Sequence, residues 1–506
     1  MSDSSKQIRL GAIISYFTII VNILLGLFYT PWMVNSIGKA EYGLYTLAMS
    51  VISLFVFDFG LGNAVTRYVA KFLAEDNHEK INKLLGIVYK LYVWIDAVVL
   101  LILFCVFFFI PQIYKGLTPQ ELEQFKFIYV IVSIFSIVSF PFIPLNGILS
   151  AHEKFIQLKL CDLFHRLLVV ILMSVCLFAG YGLYALVLVN AISGIIVIIV
   201  KLLIIRSVTM VKIDWTSNDR VLLKSIISFS LWVTIIALSQ RCIFNIAPSI
   251  LGVWSDAKSI AILGIAITLE GYVYTLSTAL SGLFLPKVTR LTCNSTNDNV
   301  LPLMIKVGRI LIILIGIVLI EFICIGEDFI KQWMGPGYND VYICSVLLMI
   351  PSFFYHPLDI GSTTLTATNN LKYKSYLYVV IAVINIFLSI PLAANYGAIG
   401  ICVSILVSYS VRTIGLYFIF YNVLKIDIWK FIIETYGKLL LSLVLSFVIS
   451  YILVNTTTLD LLAGWMRLMV YAVLVGLVSC LIIYFWGMNL DEKKQVKSYC
   501  KKIKLK

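Results

Sequence analysis

Fourteen stretches of this 506-residue chain carry almost no charge: 11–34, 43–65, 84–110, 125–149, 160–179, 184–205, 224–252, 260–284, 301–325, 341–365, 375–394, 397–420, 437–455 and 465–487. Each has the roughly 20 apolar residues that a helix needs to cross the hydrocarbon of a bilayer. The fifth carries Asp162, His165 and Arg166 in its first two turns, and the twelfth carries Arg412. None shows the short apolar-polar alternation of a membrane barrel, so the spans are expected to be helices, which satisfy their own backbone hydrogen bonds in lipid. Composition agrees: 61% of residues are hydrophobic and 13% charged, against about half and about a quarter in a soluble domain. The chain therefore reads as an all-α polytopic membrane protein of about 14 transmembrane helices. The first stretch ends in Thr30-Pro31-Trp32 with no small-residue cleavage site after it, which argues against a removed signal peptide.

Lysine and arginine set the expected orientation. With the N-terminus inside, 30 of the 39 basic residues fall on the inner side, 6 on the outer side, and Lys90, Arg241 and Arg412 within spans. That bias places both termini in the cytoplasm. The net charge of +13 is then an orientation signal rather than a nucleic-acid surface. It includes the lysine-rich tail, which can meet anionic membrane lipids. None of the ten cysteines falls in an expected outer loop, which disfavours a structural disulfide. No His/Cys cluster has metal-ligand spacing, and neither a GxxxxGK[ST] loop nor a GxSxG turn is present. No cofactor or metal is expected. The loops are too short to house a catalytic domain, so the function is expected to lie among the helices and not to be enzymatic.

A faint internal repeat runs through the chain. Leu149-Ser150-Ala151-His152-Glu153-Lys154 resembles Leu365-Thr366-Ala367-Thr368-Asn369-Asn370, Tyr181-Gly182 matches Tyr396-Gly397, and Val65-Thr66-Arg67 matches Val288-Thr289-Arg290. The offsets of 216, 215 and 223 residues each join one span to the span six later. This suggests two pseudo-symmetric six-helix bundles, 1–210 and 211–425, followed by two additional helices in 426–490 and a basic tail, 491–506. Parallel repeats of this kind are a transporter architecture with the substrate path between the halves.

Gly38-Lys39-Ala40-Glu41-Tyr42-Gly43 follows the first span, and Asp58-Phe59-Gly60-Leu61-Gly62 and Val65-Thr66-Arg67-Tyr68-Val69-Ala70 close the second. Phe284-Leu285-Pro286-Lys287-Val288-Thr289-Arg290 takes the matching place in the second half. With these motifs the chain resembles the Wzx-type polysaccharide flippases, the lipid-linked oligosaccharide exporters of the MOP superfamily, which also contains the MATE drug exporters. The resemblance implies alternating access that carries an undecaprenyl-diphosphate-linked oligosaccharide across a bacterial inner membrane, for O-antigen (lipopolysaccharide), capsule or exopolysaccharide synthesis. A glycan polymerase and a chain-length regulator would be natural partners. A cation-coupled MATE-type multidrug exporter and an integral-membrane glycan polymerase or transferase are the alternatives.

An anionic diphosphate cargo calls for cations in a wet cavity. Arg241 is the leading candidate, because an arginine inside a span costs about 2.5–3.5 kcal/mol on insertion scales and normally faces a cavity or a partner. Arg67, Arg290 and Arg412 extend that set, with Gln240 and Asn22 as polar companions. Glu270 lies at about the depth of Arg241, and the two are expected to pair or share a proton. Glu270, Asp96, Asp58, Asp359 and His356 are candidates for a coupling ion, H⁺ or Na⁺; His356 and Asp359 lie three residues apart, with Pro357 between them. Tyr29, Trp32, Tyr272 and Tyr274 can stack on sugars or belong to an interfacial belt.

Overall fold

The computed structural model describes residues 3–209, 213–217, 219–282, 284, 288, 291, 300–368, 370–457, 464–494 and 496–497. Among these every regular element is helical, and twelve helical segments are long and apolar enough to cross a membrane. The chain is a multi-pass membrane protein. Its outward faces are apolar: Trp94 is 74% and Phe178 83% exposed, side chains that only lipid can cover.

Three of the expected spans take forms that the hydropathy pattern did not show. The second is split into α2 (Lys39–Phe55) and α3 (Leu61–Ala74), with residues 56–60 non-helical between them. The eleventh and twelfth stretches run together as Leu371–Asn422, a 52-residue helix interrupted at Gly397, whose φ of 56° and ψ of −132° lie outside the helical region. At 1.5 Å per residue this helix is more than twice as long as a bilayer core is thick, and the left-handed φ is one that glycine adopts without strain.

By packing density the helices group into two units, Met1–Gly264 with Tyr378–Ile401, and Ile265–Leu377 with Cys402–Lys506. In the first, α3, α4 (His78–Ile113) and α6 (Leu145–Ala151) enclose a core of Leu61, Val65, Leu84, Leu85, Tyr92 and Phe140. Gly43 of α2 faces the start of α11 (Ala257–Gly282) so closely that a Cβ there would stand 1.9 Å from the Ala257 carbonyl oxygen, which gives the glycine of the Gly38–Gly43 motif a packing reason.

The repeat is visible in the hydrogen bonds. In the first unit α5 (Pro119–Ser139) passes through a 3₁₀ turn, Phe140–Phe142, into α6. In the second unit Asn339–Tyr355 passes through a 3₁₀ turn, His356–Leu358, into Asp359–Ala367. Each turn has proline at its second position, Pro141 and Pro357, and the two are 216 residues apart. Each short helix then ends in the same bond, Lys154 N to Leu149 O at 2.9 Å and Asn370 N to Leu365 O at 2.8 Å. The sequence match at 149–154 and 365–370 is therefore one helix-stop used twice.

In the second unit, α12 (Val300–Met334) packs along α16 (Ile428–Thr456) and α17 (Trp465–Ile482). Arg309, counted with the inner loops on hydropathy alone, lies in α12 and is 2% exposed. It donates to both carboxylate oxygens of Glu492 at 2.6 and 2.9 Å, and to the carbonyls of Glu434 and Gly487, each at 2.8 Å. A single guanidinium thus fastens the segment after α17 to α12 and α16. Arg309→Ala should lower the unfolding stability of the detergent-purified protein by about 3 kcal/mol, because it leaves the Glu492 carboxylate without its partner. The double variant Arg309→Met/Glu492→Leu should recover most of that loss, and unfolding monitored by intrinsic fluorescence checks both.

Candidate functional site

In the first unit the polar centre is built around the break in the second span. Breaking a helix in lipid frees backbone groups that no water can satisfy, and the Asp58–Gly62 motif supplies the replacements. Asp58 Oδ1 accepts from Gly62 N at 2.8 Å and from the Tyr92 hydroxyl at 2.9 Å. Thr234 Oγ1, on α9 (Arg220–Phe244), donates to Phe59 O at 2.7 Å, and Ser230 Oγ donates to Gly60 O at 3.3 Å. Gly60 has a φ of 72° and sits against Ser230 and Val233, 3.0 Å from where a Cβ would lie. Asp58, a candidate for ion coupling on sequence, is engaged here as the group that restarts the helix.

Arg241 lies in the last turn of α9, just before Asn245 and Ile246 separate α9 from α10 (Ala247–Trp254). Its Nη1 donates to the carbonyl oxygen of Ser53, in the last turn of α2, and its guanidinium stands 4.8 Å from the centre of the Phe57 ring. Asn245 donates to the Ser53 hydroxyl. Two helix C-termini, each carrying partial negative charge, converge on this one cation. Its described partners carry no charge, and one of the five N–H donors of a guanidinium is committed to Ser53.

The other candidates of this unit scatter. Asp96 and Asn22 are half-buried, and each has a buried Oδ1 with no hydrogen-bond partner. Gln240 is half-buried beside Arg241 in sequence, while Arg67 is exposed on α3 with its guanidinium 6.0 Å from the Tyr68 ring centre. Arg290 lies outside the described residues. One residue was misplaced by hydropathy: Arg166, counted with the inner loops, sits 11 residues inside α7 (Phe155–Phe178), near the middle of the span. Its position relative to the helix start was the missing signal, because hydropathy began that span only at residue 160.

The second unit gathers a denser set. Glu270 is 6% exposed on α11 and accepts from the Ser352 hydroxyl at 2.9 Å. His356 Nδ1 lies 3.1 Å from Asp359 Oδ2, and Ser281 Oγ donates to the same oxygen at 3.3 Å. Pro357, between them, belongs to the 3₁₀ turn, whose three residues per turn eclipse positions three apart and so align the two side chains. Arg412 is buried between the rings of Tyr355 and Tyr409, with centroid distances of 4.2 and 4.9 Å, and so does not snorkel to an interface. Tyr355 stacks on His356 at 4.1 Å, and Tyr274 approaches it at 5.5 Å. Glu270, Tyr355, Arg412 and His356, all buried, form one polar cluster with the half-buried Asp359. Within the first unit Arg241 engages Ser53 and Phe57, and within the second Glu270 engages Ser352.

The two roles open to Asp58 predict different outcomes. Asp58→Asn keeps an acceptor for Gly62 N and Tyr92 and should leave stability and transport near wild type. Asp58→Ala should cost about 1–2 kcal/mol, as for loss of a helix cap, read by thermal unfolding in detergent. Loss of transport in the asparagine variant at unchanged stability would instead mark the charge as functional.

The family model described as "Polysaccharide biosynthesis protein" matches residues 9–291. Among solved structures, a lipid II flippase MurJ in an inward closed conformation is similar over 94% of this chain and 98% of its own, with a TM-score of 0.69 at 16% identity. An inward-facing multidrug resistance MATE family transporter of the MOP superfamily is similar over 80% of this chain and 97% of its own, with a TM-score of 0.62 at 13% identity. The MATE multidrug transporter DinF-BH gives a TM-score of 0.62 at 14% identity over 84% of this chain and 97% of its own. No curated protein sequence matches the chain. The fold is that of the MOP-type transporters.

Proposed function

The chain belongs to the polysaccharide biosynthesis protein family, and we propose that within it the protein is a flippase for undecaprenyl-diphosphate-linked oligosaccharide units. It acts by alternating access in a bacterial inner membrane, and its product feeds O-antigen, capsule or exopolysaccharide assembly. A glycan polymerase and a chain-length regulator are its partners in this reading. Fourteen spans underlie it, with α2 and α3 together crossing once and Leu371–Asn422 crossing twice. The spans form two six-helix halves followed by two further helices. Both termini face the cytoplasm, as the distribution of basic residues supports.

The observation that carries this reading is Arg241. A full positive charge in the interior of a span, held by a carbonyl and an aromatic face, retains donors for an anion. An intramembrane cation with neutral partners suits an anionic cargo better than a cationic drug. The lipid II flippase among the structural neighbours further supports a lipid-linked cargo. In the second unit, Glu270 and the His356–Asp359 pair are buried titratable groups in transmembrane helices. We assign the coupling ion, H⁺ or Na⁺, to this cluster, with Arg412 tuning the charge balance between its two tyrosine rings.

In cells lacking the native gene, Arg241→Ala at wild-type protein level should reduce export of the lipid-linked glycan at least tenfold, and Arg241→Lys should retain part of it. Unchanged export in the alanine variant would overturn the reading. In proteoliposomes loaded with a lipid-linked glycan, Glu270→Gln should keep basal flipping while abolishing stimulation by an imposed pH or sodium gradient. Stimulation that persists in this variant would remove Glu270 from coupling.

A further inference from the structure

Glu321 is an intramembrane carboxylate that stands apart from the Glu270–His356–Asp359 cluster. It lies on α12, 12 residues from Arg309 toward one end of the helix and 12 from Trp333 toward the other. At 1.5 Å per residue that is about 18 Å each way, so in a hydrocarbon layer roughly 30 Å thick Glu321 sits near the midplane. Among the described residues its carboxylate has no hydrogen-bond or ion-pair partner. The fold makes room for it on α17. A Cβ on Gly476 would stand 2.9 Å from Glu321 Oε1, so the carboxylate lies over the glycine and a larger residue would push it aside. Gly476 is itself 11 residues from Trp465 and 11 from Gly487, which gives it the same depth.

The carboxylate lines a groove of about 270 Å³ between α12 and α17. Val318, Phe322 and Phe329 form one wall and Trp465, Met469 and Ala472 the other, at spacings of three, four and seven residues that keep each set on one helix face. From Val318 to Phe329 the groove runs about 16 Å along the helix. Trp465 is 46% and Met469 63% exposed, so none of the described residues fills it. A groove of this length between two helices is the shape that receives a third, and Gly326 and Ala472 on its walls let another backbone come close.

Charge and depth decide the occupant. Lipid chains can cover the apolar walls, but they leave the carboxylate without a partner at a depth that phospholipid headgroups do not reach. A membrane-spanning helix can bring a side chain to that depth, and a cation on it complements Glu321. We propose that the α12–α17 groove docks a transmembrane helix of a partner protein, one that carries a lysine or arginine at its midpoint and pairs it with Glu321. A second copy of this chain, meeting the first across a two-fold axis along the membrane normal, would set Glu321 against Glu321, two like charges. The docking site goes beyond the flippase reading and does not depend on it.

The experiment measures energy transfer in liposomes between the labelled full-length protein and labelled synthetic leucine–alanine helices long enough to span. Three helices are compared, with lysine at the centre, leucine at the centre, or lysine one turn from an end. Each protein variant is first matched to wild type in monodispersity and thermal unfolding. Wild type should bind the central-lysine helix at least tenfold more tightly than the other two. Glu321→Gln should erase that preference, and Met469→Trp, which fills the groove and keeps the carboxylate, should weaken binding of the central-lysine helix at least tenfold. The two variants change charge and shape separately, so if one fails to fold the other still decides. Equal binding of the central-lysine and central-leucine helices by wild type, or a preference that survives Glu321→Gln, overturns the proposal. Self-association of the labelled protein that is lost in Glu321→Gln overturns it too, and gives the groove to a second copy.

Discussion

The constraint on which the rest of this structure depends is that backbone groups in a lipid bilayer must find partners within the protein. A straight helix meets that demand by itself. The second span does not stay straight: between Phe55 and Leu61 it gives up its own ladder. Beside the backbone bonds Val56 N to Ile52 O and Gly60 N to Asp58 O, the partners there are side chains of a neighbouring helix or of the break itself, with Asp58 serving Gly62 N, Thr234 serving Phe59 O, Ser230 serving Gly60 O and Arg241 serving Ser53 O. The break, the packing of α9 against it and the burial of Arg241 are one solution. Remove any member and another polar group is left facing hydrocarbon.

The same logic governs the buried charges of both units. Arg309 meets a carboxylate and two carbonyls, Arg412 two tyrosine rings, Glu270 a serine hydroxyl, and Asp359 a histidine and a serine. Only the first is a conventional ion pair of full opposite charges. The described contacts of the others are hydroxyls, an imidazole and π-faces, an arrangement that suits a transport site. Arg309, being neutralised, reads as an anchor. Arg241 and the Glu270–His356–Asp359 cluster do not read that way.

Hydropathy made the class and its helical nature legible. The residues that flagged the repeat, 149–154 and 365–370, proved to be matching helix stops. What it could not show is where apolar sequence stops being helix. Residues 56–60 are as apolar as a span interior apart from Asp58 and Gly60, and only the three-dimensional partners of Asp58 and Thr234 reveal the break. Arg166 and Arg309 were counted with the inner side because each lies within about two turns of where its apolar stretch begins, at 160 and 301, and a charge count does not tell a buried arginine from an interfacial one.

The position of Arg241 bears on whether capping and cargo binding compete. A guanidinium is planar with donors on separate edges, and the bond to Ser53 O uses one of them. Fixing that edge removes rotamer freedom before any ligand arrives, so less entropy is lost when an anion engages the remaining donors. The Phe57 face further holds the plane of the group, and the partial negative charges of two helix C-termini lie beside it. The cap is thus what makes the arginine an oriented donor rather than a mobile cation. A lysine at the same place, with one rotating ammonium, would satisfy Ser53 and still present the cargo with a weaker and less directed contact.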